Sequence, residues 1–343
     1  MDPRQGAADP TSGTPARRPG SIRRTSTIDS TRPDGFAGLL LQLGRARDLR
    51  TASDGTATVV AEAETRLDID YANGMLVREL SVTPPVEGID AFVGARAGGG
   101  FRKILDLQTD AARGSLPYLL LDDVPGATLV SGYAASIAAD QGDPELAEFR
   151  VRMREGGPRL QIPDLCAGWQ EGGTLLQNLV DGGPPATLGP VAPSVLADDD
   201  PDAWHALAPL PTDGMRRARR IDVWRDGLLH VDVFFRDSLM GRDGTETAVH
   251  EYTVDTTVDP DTMIVVACTA EPRVLPWREC PQAIGSTGRI VGHPVVGLRP
   301  EVRAQLVGPT TCTHLNDVLR GLEDVDWLAR ALPVDESASF GAE

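Results

Sequence analysis

The chain has 343 residues and a formal net charge of −17, with the apolar (41%) and charged (24%) fractions of a soluble globular protein. That length holds two ordinary domains. Its acidity excludes non-specific binding to nucleic acid or anionic membrane, which needs basic patches, and no run approaches the ~18 apolar residues of a membrane span. The Met-Asp-Pro-Arg-Gln start lacks the apolar core of a signal peptide, so a cytoplasmic protein is expected. Cys166, Cys268, Cys280 and Cys312 are irregularly spaced and form no disulfide framework; in a reducing cytosol they are free thiols or ligands.

Residues 1–20 are Pro, Gly, Ser, Thr and Arg with little that is apolar, and read as a disordered lead-in. A β-rich pattern then begins, with a turn at Asp54-Gly55, a long strand over 56–70 and a hairpin turn at Ala72-Asn73-Gly74. Short helices are expected over 101–105 and 118–124. The Ala97-Gly98-Gly99-Gly100 run lacks the strand–helix setting of a phosphate loop and reads as a flexible loop.

The same order of events recurs after residue 215. Arg23-Arg24…Ile28-Asp29 is answered by Arg216-Arg217…Ile221-Asp222, and Asp54–Glu62 aligns without a gap on Asp243–Glu251. Met75 falls on Met263, Pro84 on Pro272, and Asp123-Val124…Gly126 on Asp317-Val318…Gly321. Two copies of one domain, rather than a solenoid, account for this. The expected fold class is therefore α+β: two repeated domains (21–126 and 215–332), each a small antiparallel sheet packed on helices. A long irregular middle segment (127–214) joins them, and an acidic tail (333–343) follows. The four arginines at 216, 217, 219 and 220 are expected to flank a strand rather than read phosphate.

The middle segment carries a helical stretch from Pro144 to Arg154, then Cys166-Ala167-Gly168-Trp169, a Pro-rich run, and Trp204-His205. A connection this long is expected to cap or bind something, with Trp169, Trp204 and His205 as pocket residues. The alternative is that the aromatics pin the connection to the two domains.

The second copy carries the chemistry. On strand 247–258, His250 is in phase with the apolar side, where a buried imidazole needs a partner. Cys280 lies at a turn into a helix over 281–286. Thr310-Thr311-Cys312-Thr313-His314-Leu315 opens a last helix whose apolar face is Leu315, Val318, Leu319 and Leu322. Cys312 at a helix mouth should favour a thiolate. The first copy has Ala61 in place of His250, a leucine-rich run in place of Cys-Thr-His-Leu, and nothing in place of Cys280. These residues admit a metal site, a cysteine nucleophile, or ordinary core packing.

The second copy resembles the DUF2889 family on Arg225-Asp226-Gly227, His250, Asp259, Pro272, Cys280, Gly297-Leu298 and the closing Cys312-Thr313-His314-Leu315, with Thr311 where the family has Gly. The chain then looks like a tandem duplication with a degenerate first copy, and the resemblance implies a fold but no activity. The order of ligand-bearing elements is also similar to iron–sulfur cluster assembly scaffold proteins, matched in residue type at Cys280 and Cys312.

The leading functional expectation is a divalent metal, Zn or Fe, bound by His250, Cys280 and Cys312. His314 would then act as fourth ligand or base, with Asp317 or Asp226 orienting an imidazole, in an enzyme of lyase or hydrolase type acting on a small organic substrate. The alternatives are a structural-metal or scaffold protein that binds a protein partner, or a metal-free enzyme with Cys312 as nucleophile. A homo-oligomer is compatible with any of these.

Overall fold

The computed structural model describes residues 9–109, 112–143, 146 and 163–333; the helix expected at Pro144–Arg154 and most of the acidic tail lie outside the described residues. Eight strands form one antiparallel sheet: β1 (Ser21–Thr31), β2 (Leu40–Thr51), β3 (Ala57–Asp70), β4 (Leu76–Thr83), β5 (Met215–Asp226), β6 (Leu228–Met240), β7 (Glu246–Val258) and β8 (Val265–Val274), in the order β4-β3-β2-β1-β5-β6-β7-β8. Each half is a four-strand meander, and the halves join through β1 and β5, which pair from Ser21↔Trp224 to Ser30↔Met215. Where two separate small sheets were expected, there is a single one. The reason is that β1 and β5 would each be an open edge in an isolated half, and pairing them satisfies both rows of backbone groups.

The expected order of elements recurs along the chain. Each half follows its strands with a 3-10 segment (Ile89–Phe92; Cys280–Ile290), a helix of eight residues (α1, Phe101–Gln108; α5, Leu298–Gln305) and a longer helical region. That region is α2 (Leu116–Val130) in the first half. In the second it is α6 (Thr313–Gly321) followed, after a 3-10 turn, by α7 (Val325–Arg330). The two Asp-Gly turns occupy corresponding hairpins, β2–β3 and β6–β7. In both, the glycine takes positive φ (88° and 80°) while the aspartate accepts from the amide two residues on. Met75 and Met263, matched in the sequence, are both left-handed at φ 61° and 55°. The β2–β3 ladder shifts register after Asp48, and the β6–β7 ladder after Asp237.

Helices cover one face of the sheet. The principal core packs Ile221, Val223, Val231, Phe235, Tyr252 and Val254 against Leu315, Val318, Leu319 and Leu322, so the apolar stripe of the last helix lands where its spacing indicated. Helix α2 runs past the expected end at 124, through Pro125 and Gly126 to Val130, α3 (Gly132–Asp140) continues the layer, and α4 (Thr174–Val180) belongs to the middle segment. The other face is covered by irregular chain. Trp204 packs edge-on to Phe234, and His205 lies between the hydroxyls of Thr25 and Thr27, 2.9 Å from each. Residues 9–19, expected to be disordered, run here too. Thr14 Oγ1 accepts from Trp204 Nε1, Arg236 donates to the Thr11 carbonyl, and Arg17 pairs with Asp200 at 2.7 Å. Their anchors are polar, which is why an apolar pattern did not reveal them.

Between sheet and helices lies a buried ion network that interlocks the two halves. Arg24 grips Asp48 with two nitrogens, both at 2.7 Å, and Arg217 grips Asp237 in the same way at 2.8 and 3.1 Å. Other contacts cross between halves: Arg24–Asp324 (2.8 Å), Arg102–Asp317 (3.1 Å), Arg219–Asp123 (2.8 Å) and Arg320–Asp122 (3.0 Å). The arginine run at 216–220 is thus spent inside the protein, with Arg216 on Asp29 and Arg220 on Asp222 and Asp232.

Candidate metal centre

Asp237 on β6 and His250 on β7 are directly opposed across the ladder, at the last pair before its register shift. Their side chains point to the helix face, and the first turn of α6 brings His314 over them. The rings of His250 and His314 stack with centroids 3.5 Å apart and planes 19° from parallel. Asp237 Oδ2 lies 3.3 Å from His250 Nδ1 and 3.9 Å from His314 Nε2. One ligating atom from each of the three residues falls within 4.8 Å of the others. His250 Nδ1 is buried without a hydrogen bond of good geometry, so the carboxylate faces it but does not satisfy it.

Asp237 is held well below the usual carboxylate range: burial opposes its charge, and Arg217 and His250 more than offset that. His314 is lowered to about 3, by burial first and by His250 second, so at neutral pH it presents a neutral imidazole fit to ligate. Tyr133 meets His250 edge-on at 5.6 Å.

The register explains why only the second half carries this group. Asp48 stands opposite Ala61 as Asp237 stands opposite His250, and Ala61 packs against an apolar cluster that includes Leu120. The first half has the same arginine–aspartate pair and ladder irregularity, with an apolar contact where the second half has imidazoles.

Of the expected site residues, His250 and His314 come together, with Cys312 beside them: its Sγ is 3.9 Å from His314 Nδ1. Cys280 opens the 3-10 helix and is buried in the same core as Cys312. Cys312 caps α6, but burial outweighs the helix mouth and pushes its thiol up to about 12, contrary to the thiolate expected from position alone. That removes the main support for a resting Cys312 nucleophile. Asp317 does not orient His314; its carboxylate is taken by Arg102, Arg217 and Arg320. Asp226 is exposed at the β5–β6 turn, nine residues along β6 from Asp237, a span of about 30 Å. Trp169 packs on the core that holds Cys280 and Cys312. Trp204 and His205 do not join it, because Phe234, which meets Trp204, and Phe235, which faces the helices, point to opposite sides of one strand. Asp237, unnoticed in the sequence, carried one signal: Arg24 and Asp48 repeat the Arg217–Asp237 pair.

Residues 215–327 match the family model described as "Protein of unknown function (DUF2889)". No curated protein and no solved structure matches the chain.

Proposed function

We propose that the DUF2889 module of this chain binds one divalent metal ion through Asp237, His250 and His314, and that the first half is a degenerate copy retained as its structural partner. The observation that carries the reading is the convergence of three ligating atoms within 4.8 Å, on elements from two strands and a helix. Two imidazoles and a carboxylate form a donor set suited to Zn²⁺ or Fe²⁺. Mixed donors of this kind suit a single ion rather than a cluster. Arg217 fixes the Asp237 carboxylate from behind, as the supporting residue of a metal ligand does.

Three protein ligands leave a position open, where an ion polarises a carbonyl or activates water, and this supports a metal-dependent enzyme acting on a small organic substrate. Burial favours the second reading, a structural ion in a scaffold protein: Asp237 and His250 are 1% and 2% exposed, and only His314 approaches the surface. Protein purified without a His-tag and analysed for metals should carry one zinc or iron per chain, and the absence of stoichiometric metal after incubation with either ion would sink both readings. In cobalt-substituted protein, a visible spectrum that changes on adding azide supports the open position, and an unresponsive one supports the structural ion.

A further inference from the structure

The second half carries an open cleft between its hairpin turns and helix α7, at the end of β6 opposite Asp237. It holds about 900 Å³, within the ~300–1,000 Å³ of small-molecule sites. Its walls are largely aliphatic, with Leu229, Met263, Ala329 and Leu332 beside prolines. Its one aromatic ring, Trp224, is engaged within the protein: it stacks on His230 with centroids 5.3 Å apart and lies 4.4 Å from the Arg18 guanidinium. Such a lining suits a flexible apolar tail better than a stacked aromatic ligand.

Three arginines and two aspartates line the cleft, an excess of positive charge on a chain of net −17. Arg330 is held by Asp326 at 2.7 Å. Arg18 and Arg225 are exposed, and among the described residues neither meets a carboxylate within ion-pair distance. Asp226 stands at the exposed hairpin tip, where solvent and salt screen it.

The first half closes the corresponding end with its own side chains. Arg32 follows Arg24 by the same interval that separates Arg225 from Arg217. Its guanidinium lies over the rings of Phe36 and Tyr71 at 5.3 and 5.1 Å, and donates to the Ser131 carbonyl and hydroxyl at 3.2 and 3.1 Å. Asp70 and Asp259 each accept from the amide three residues on, so Tyr71 answers Pro260. Tyr71 reaches the start of α3, where a Cβ on Gly132 would stand 2.7 Å from its hydroxyl. The second half has proline in place of that tyrosine, and its arginine borders an open cleft.

We infer that this cleft binds an organic acid with an aliphatic tail. The tail lies along Leu229, Met263 and Leu332, and the carboxylate pairs with Arg225 and Arg18. The site shares no residue with Asp237, His250 and His314, so it and the metal centre stand or fall separately.

Calorimetric titration of the full-length chain with decanoate should show saturable binding of one molecule per chain. Decanol, with the same tail and no charge, should bind about tenfold more weakly, as should decanoate to Arg225→Ala. Arg18→Ala should weaken decanoate in the same direction, whereas Arg66→Ala, which removes an exposed arginine of β3, should leave it unchanged. The decanol comparison needs no variant and holds even if an arginine variant fails to fold. Absence of saturable decanoate binding overturns the inference, as does equal affinity for decanol or an affinity unaltered in both cleft variants. Binding that emerges only after residues 334–343 are removed would give the cleft to the chain's own end, and overturn it too.

Discussion

Gly126→Ala tests the ion network that holds the site in place. Gly126 sits inside α2, where a Cβ would lie 2.0 Å from Arg217 Nη1, 2.8 Å from its Cζ and 2.7 Å from Asp317 Oδ2. A surface arginine would swing aside, but this one is buried and fixed by Asp237 on one edge and Asp317 on the other. Alanine adds about 1 kcal/mol of helix propensity over glycine, whereas breaking a buried pair costs about 3–5 kcal/mol, so the net loss is about 2–4 kcal/mol. Urea denaturation followed by circular dichroism reads this as a lower midpoint. Because Arg217 also positions Asp237, affinity for metal should drop in the same variant. Gly285→Ala is the control, since a Cβ there meets nothing within 4 Å, and it should be neutral or slightly stabilising. A Gly126→Ala protein as stable as wild type, with wild-type metal affinity, would refute the argument.

Trp204→Ala should lower stability by about 3–5 kcal/mol yet leave metal affinity unchanged, because it opens a cavity on the far face of the sheet; a parallel loss of metal would place the site wrongly. His205 is lowered to about 3 by burial, so the unfolded chain takes up a proton near pH 6.5 that the folded one refuses. Its contribution favours folding above about pH 6.5 and is lost as pH falls toward 3, at up to about 1.4 kcal/mol per pH unit. His205→Gln should flatten the fall in stability between pH 6 and pH 4 by about that slope, and an unaltered slope contradicts the assignment. The isolated second half, residues 215–333, should lack cooperative unfolding, because β5 becomes an open edge and Arg219 and Arg320 lose Asp123 and Asp122; a cooperative transition as stable as that of the full chain would show the halves to be independent.

Local chemistry made much of the fold legible. The Asp-Gly turns and the apolar stripe of the last helix follow from short-range rules, and the internal match put Ala61 at the place of His250. The junction of β1 with β5 was not legible. It is a pairing across nearly 200 residues between strands rich in Arg, Ser and Thr, whose side chains are satisfied by partners distant in sequence. Helix α2 was expected to end before Pro125-Gly126, but Gly126 continues it because Arg217 occupies the space a side chain would fill. At the site, phase on the strand identified His250, and proximity in sequence tied His314 to Cys312. Asp237 was missed because it follows Arg236 in a strand that also carries Asp232, so nothing local sets it apart, and Asp226, a landmark of the family resemblance, lies at the other end of the same hairpin.

In the proposed centre, two imidazoles set beside an aspartate that both halves possess turn a structural pair into a metal site. The direct test rebuilds the first half's apolar contact in the second, with His250→Ala and His314→Leu in one full-length protein. The Ala61–Leu120 cluster shows that this sheet and helix tolerate such a contact. The variant should fold with near-wild-type circular dichroism and no longer retain Zn²⁺ or Fe²⁺ in equilibrium dialysis, where wild type retains one ion per chain. A folded variant that binds either ion with wild-type stoichiometry and affinity would contradict the proposed centre.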